Sequence, residues 1–192
     1  MKSLILSVKP KYVADILNGL KTIEIRKRFP KDYRGWVYIY CTKDKLKDYY
    51  YDKDILGCYF RVNLDDNLGY EYYKNLKPLN GKVVARFYCD NVDVHHILPT
   101  EKILPFNKNV EEKLVQLCLT KEDVMNYGNG EDYYAKLINI SKLEIFDTPK
   151  ELSEFKSYKK NIVNAKINGM VFETELDNSL TKAPQNYMYI EV

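Results

Sequence analysis

The sequence predicts an α+β fold, a mixed and partly closed β-barrel with short flanking helices. Three observations carry that expectation. Several segments are rich in β-branched and aromatic residues, among them Trp36–Thr42 and the stretch KVVARFYC that follows Gly81. Helical patterns are few and short. Helices also fail to alternate regularly with strands, as a doubly wound parallel sheet would require. At 192 residues, with no visible internal repeat, the length suits a single domain over 1–192 able to bury one core.

In chain order, Ser3–Val8 is a short apolar run and the first strand. Pro10 stands where a first helical residue lacks its N–H without cost. Tyr12, Val13, Ile16 and Leu17 then recur at helical spacing. Gly19 is read as the left-handed residue just past that helix, with Leu20 as the hydrophobic contact beyond it. From Thr22 to Arg28 the pattern alternates. Ile23 and Ile25 point one way, while Thr22, Glu24, Arg26 and Arg28 point the other. Pro30, Asp32 and Gly35 make a turn into the Trp36–Thr42 strand.

The region 44–80 has a different composition, rich in Lys, Asp and Tyr, and is read as a tyrosine-rich insertion. Beyond it, the strand KVVARFYC is followed by an extension of the sheet over Val92–Ile97. Asn109–Leu117 is helical in pattern, and Thr120 with Asp123 forms a capping signature for a helix running to about Tyr127. Tyr133–Ile145 supplies one or two strands, Pro149–Leu152 opens a polar connection, Met170–Glu175 is extended, and Asn186–Val192 is a final strand.

Composition excludes several classes. A hydrophobic content of 45% with 30% charged residues describes a globular chain, not a disordered one. No apolar run approaches the ~18 residues of a membrane helix, and the N-terminal apolar stretch is too short for a signal-peptide core. A cytoplasmic protein without membrane association is therefore expected. Cys41, Cys58, Cys89 and Cys118 are scattered with no close pair, so they read as buried or half-buried thiols in a reducing compartment. His95 and His96 are adjacent, and neighbours on a strand face opposite ways, so they do not share a metal. Neither metal nor cofactor is expected.

Charge is unevenly spread. Residues 1–36 carry nine Lys or Arg against three Asp or Glu, while the remainder is net negative. A local basic block is the electrostatic footprint of a polyanion site. Lys21, Arg26, Lys27 and Arg28 suit phosphates, and the Arg26 guanidinium offers a planar fork to a phosphate or base edge. Glu24, two residues before Arg26, is suited to orient that fork or to accept from a base amino group. Gln185, Asn186 and Tyr187 are further candidates, with amides suited to base edges and a ring suited to stacking. Tyr40 and Trp36 are weaker candidates, since aromatic residues on a central strand usually fill the core.

The order of these elements carries a resemblance. Gly19-Leu20-Lys21-Thr22-Ile23-Glu24-Ile25-Arg26, placed between a first strand with its proline-started helix and the WVYIYCTK strand, resembles the G-x-K-x-x-E-x-R signature of the ASCH domain. GKVVARFYC, TKEDVMNYGNG, YYAKLINISKLEIFDTPKEL and APQNYMYIEV are similar to later segments of the longer bacterial and phage ASCH proteins. The resemblance implies a PUA-like barrel. It also implies a cleft lined by Lys21, Thr22, Glu24, Arg26 and their neighbours, binding RNA, another nucleic acid or a modified nucleobase.

Enzymatic alternatives stay open. Some small ASCH proteins hydrolyse N4-acetylcytidine with a K-T-x-T motif. Here Lys21 and Thr22 match, but Glu24 replaces the nucleophilic threonine, and a carboxylate cannot serve as that acyl acceptor without changing the chemistry. A metal-independent ribonuclease or nucleoside hydrolase would use Lys21 and Glu24 as its catalytic residues. A protein-interaction or regulatory module is the third class, and it predicts an exposed apolar patch instead of a basic cleft.

Overall fold

The computed structural model describes residues 2–43, 57–59, 79–97, 108–159, 161–167 and 170–192. Most of the expected insertion at 44–80 lies outside the described residues. The described chain begins with strand β1 (Lys2–Val8), helix α1 (Pro10–Leu17), and strands β2 (Ile23–Arg26) and β3 (Gly35–Cys41). Then come β4 (Val83–Cys89), β5 (Val92–Ile97), helices α2 (Lys108–Leu117) and α3 (Lys121–Asn126), β6 (Tyr133–Asn139) and β7 (Ser141–Lys150). A 3-10 turn (Leu152–Glu154), β8 (Lys156–Ser157), β9 (Asn161–Ile167), β10 (Met170–Leu176) and β11 (Tyr187–Glu191) complete it.

Among the described residues the strands form three sheets: six strands in the order β7-β4-β3-β1-β11-β8, three in the order β2-β6-β5, and the β10-β9 pair. β1 lies at the middle, parallel to β3 and antiparallel to β11. A strand covered on both sides reads as a continuous apolar run, and β1 is one. Leu4, Leu6 and Val8 join α1 in the main core, while Ile5 faces the opposite cluster with Leu152, Phe155 and Leu180.

The α+β class holds, but among the described residues the ladders do not close into a barrel: β7 and β8 are the edges of the large sheet. Two bent runs join that sheet to the smaller one. β4 passes into β5 through Asp90 and Asn91, and β6 passes into β7 through Ile140. β4 pairs with β7 in the first sheet and β5 with β6 in the second. Val92–Ile97 thus turns a corner instead of extending the same sheet, and the expected polar connection at 149–152 is the end of β7 followed by a buried Leu152.

Local signals fixed the element ends. Gly19 has φ +72°, Leu20 N–H donates to Asp15 C=O, and Gly19 N–H donates to Ile16 C=O, the pattern of a Schellman cap. Leu20, just beyond it, is 62% exposed. Cys41 and Cys89 are buried and Cys118 half-buried, but Cys58 is exposed, contrary to expectation.

At α3, Thr120 Oγ1 accepts from Asp123 N–H at 3.0 Å while the Asp123 carboxylate accepts from Thr120 N–H at 2.9 Å. Thr120→Ala should cost about 1 kcal/mol, read as a lower urea midpoint. The Thr120 amide, and then its hydroxyl, hold the Asp123 carboxyl below the ordinary carboxylate range. The unfolded chain therefore binds that proton more tightly. The contribution is complete above the unfolded pKa of about 3.9 and fades as pH falls through the lower folded value.

Candidate functional site

β2 is four residues long and is an edge of its sheet. Its alternation works as the sequence implies. Ile23 and Ile25 enter the cluster with Leu117 and Val124 beneath the helices, and Glu24 and Arg26 project to the other side. Beside β2 lies a cavity of about 540 Å³, within the usual range of ~300–1,000 Å³ for small-ligand sites. Ser7 and Lys9 at the end of β1, Tyr12 on α1, and Tyr40, Thr42 and Lys43 at the end of β3 supply one part of its wall. Lys21, Glu24 and Arg26 supply a second, Leu119, Asp123 and Tyr127 a third, and the segment Lys182–Gln185 the last.

Lys21 is 2% exposed and Glu24 4%, unusual for residue types that are almost never buried unless paired. They are paired here. Lys21 Nζ donates to Leu117 C=O at 2.5 Å and stands 3.5 Å from Glu24 Oε2. Its ammonium lies 5.2 Å from the centre of the Tyr12 ring. Arg26 donates through a terminal nitrogen to Ser7 C=O at 2.5 Å, and its Nε comes within 2.9 Å of Glu24 Oε1. That N–H is not directed at the oxygen. Among the described residues, Arg26 Nε and Glu24 Oε2 are both buried without a hydrogen bond. Each is held by charge alone, Nε against Oε1 and Oε2 against Lys21 Nζ, so both keep hydrogen-bonding capacity that the fold does not use.

Ser7 is the knot that holds two walls together. Its hydroxyl donates to Pro184 C=O at 2.6 Å and its amide to Asn186 C=O at 3.2 Å, while its own carbonyl receives Arg26. Lys9, Lys43 and Lys182 are exposed at the rim. The cavity therefore has cations outside and a cation–carboxylate–cation cluster inside. Tyr12 and Tyr127 add aromatic walls. Burial raises both phenol pKa values above the ordinary range, aided at Tyr12 by the carboxylates of Asp123 and Glu24.

The sequence-predicted residues divide accordingly. Lys21, Glu24, Arg26 and Gln185 line the cavity. Thr22 does not; its N–H donates to Gln116 C=O and its C=O accepts from Ile140 N–H, both at 2.9 Å, so it ties the strand in place. Lys27 is exposed near the opening, its ammonium 5.4 Å from the Tyr127 ring centre. Arg28 is exposed. Asn186 contributes its carbonyl to Ser7, and Tyr187 packs edge-on against Phe29 in the main core, with centroids 5.6 Å apart. Tyr40 lines the cavity, whereas Trp36 sits under the Arg86 guanidinium, 4.3 Å from its ring.

Sequence reasoning missed Ser7, Lys9, Tyr12, Lys43, Tyr127 and Lys182. Tyr12 sits at helical spacing with core residues, so its pattern is that of the core. Nothing local marks Ser7 as the point where three segments meet. Among the described residues no group of three or more His, Cys, Asp or Glu could hold a metal ion, and no helix is long and apolar enough to cross a membrane.

No family model and no curated protein matches this sequence. Among solved structures the chain is similar to the crystal structure of ASCH from Zymomonas mobilis. That match has 14% identity and a TM-score of 0.49, covering 78% of this chain and 73% of that one. Two point-mutant structures of the same Zymomonas mobilis protein are also similar. One has 14% identity and a TM-score of 0.46, covering 79% and 77%; the other has 15% and 0.43, covering 78% and 74%.

Proposed function

We propose that this chain is an ASCH-type, PUA-like protein that binds single-stranded nucleic acid, RNA or a modified nucleobase, in the cavity beside β2. The observation that supports this most is the buried Lys21–Glu24–Arg26 cluster, with Glu24 Oε2 and Arg26 Nε unsatisfied. Maintaining three charges in the interior is a weak way to gain stability. It is a good way to present a fixed acceptor and a fixed donor side by side. A nucleobase edge offers the matching pair, an amino or imino hydrogen next to a ring nitrogen or carbonyl. The rim lysines suit the flanking phosphates, and Tyr12 and Tyr127 suit the faces of a base. Action in the cytoplasm, without a membrane, belongs to the same proposal.

The test is anisotropy of a labelled single-stranded RNA, titrated with wild-type protein and with a Lys21→Met, Glu24→Gln, Arg26→Met variant. Removing all three charges together avoids stranding one of them. Binding should weaken roughly 10–100-fold, the worth of one or two charge-assisted hydrogen bonds. Equal affinity would remove the cavity from the reading. Running the same mixtures on a denaturing gel tells binding from cleavage. Shortened RNA from wild type only would move the assignment to the ribonuclease alternative, with Lys21 and Glu24 as its reacting groups.

A further inference from the structure

The sheet face that carries Glu24 and Arg26 continues past the cavity. In the small sheet Arg26 stands opposite Lys136, and Lys136 opposite Val94. Directly opposed residues point to the same side, as do residues two apart on one strand. That side therefore also carries Tyr134 and, opposite it, His96. Toward the main core it is closed by buried Ile138 and Val92; in the other direction it opens, with Val94 46% and Tyr134 59% exposed. The reverse side of β6 is fully used, since Ala135 and Leu137 are buried against the helices. From strand spacing and rise, the Cα of Tyr134 lies about 8 Å from that of Arg26.

A single exposed tyrosine is ordinary. This one is built into an arrangement. The His96 imidazole lies flat against it, with ring centres 4.6 Å apart and planes 16° from parallel. His96 Nε2 is in turn held 3.1 Å from Asp132 Oδ2. Lys136, the direct neighbour of Arg26, reaches over the Tyr134 ring at 5.8 Å. An exposed ring backed by a second ring, with a cation close by and in register with the cavity wall, is what a base needs for stacking while its phosphate finds a positive charge.

We propose that Tyr134, backed by His96 and flanked by Lys136, is a stacking platform for the nucleotide next to the one held in the cavity. The ligand is then a single-stranded RNA segment, not a lone nucleoside. This rests on the cavity reading above. Stacking is tolerant of base identity, so the platform adds affinity and direction of the strand, while the Glu24–Arg26 edge supplies selectivity.

The experiment compares wild type, Tyr134→Ala, Tyr134→Phe and the charge-free cavity variant, each with a short labelled single-stranded RNA and with adenosine and cytidine monophosphates. Tyr134→Ala should weaken RNA binding about tenfold and leave monophosphate binding unchanged, and Tyr134→Phe should bind as wild type. Ultraviolet crosslinking of the RNA should map to Tyr134 or His96 by mass spectrometry. RNA affinity equal in wild type and Tyr134→Ala, with no crosslink at either ring, overturns the platform and leaves the cavity reading standing. RNA binding lost in Tyr134→Ala but intact in the charge-free variant overturns the adjacency, because the cavity then holds no nucleotide. Binding of neither probe by wild type overturns both. Sedimentation showing that Tyr134→Ala only dissolves a homodimer assigns the face to a second copy of the chain instead.

Discussion

Glu24→Ala is expected to destabilise the folded chain by about 3–5 kcal/mol, the cost of leaving buried charge without its counter-ion. Glu24 is the one acid between Lys21 Nζ at 3.5 Å and Arg26 Nε at 2.9 Å. Its removal sets two cations against each other in a wall where the Lys21 and Glu24 side chains are 1% and 5% exposed. The charge-free variant with all three residues replaced should be close to wild type in stability, because the desolvation cost of the ions disappears along with their attraction. Urea unfolding at neutral pH decides between these outcomes, provided the slope is unchanged and only the midpoint moves. A Glu24→Ala midpoint within about 0.5 kcal/mol of wild type, the size of an ordinary surface effect, would mean that the cluster is not energetically coupled.

The second large effect concerns the rim. Lys9, Lys43 and Lys182 are exposed around the cavity opening, so their replacement by alanine should barely change stability. If each meets one phosphate, the slope of log affinity against log salt should fall by about 2 in the triple variant, roughly 0.7 for each contact on a single strand. Affinity at low salt should drop similarly for every RNA sequence, since phosphate contacts carry no sequence information. An unchanged slope would take the phosphates away from this rim. Gly81 is part of the same design. It sits at φ +80°, and a Cβ there would lie 2.6 Å from the Lys43 side chain, so a larger residue would push that lysine off its place.

Much of this was legible in the sequence, for reasons that differ by residue. The Gly19 cap, the Thr120–Asp123 capping box and the alternation of β2 are local signals, and the structure keeps all three. Glu24 reads as the partner of Arg26 because they are two apart on one strand. The burial of Lys21 is not local. It follows from Leu117, ninety-six positions later, offering its carbonyl, and from Tyr12 closing above. β9 is not among the expected strands, although Asn168-Gly169 stands in the sequence between two runs that pair antiparallel, a recognised signal. Barrel closure was not readable either, since it depends on which edges meet. The chain instead spends two corners turning from one sheet into the other.

Those corners give the Arg26–Ser7 contact a mechanical meaning. Covalently, the small sheet hangs from the large one on those two bent runs and the flanking loops, and the guanidinium is a clasp across the gap between β2 and β1. In the proposed reading, an occupant that drew Arg26 toward itself would undo that clasp. If the proposed cavity is occupied in this way, tenancy of the hollow and the pitch of one β-layer on the other become linked quantities.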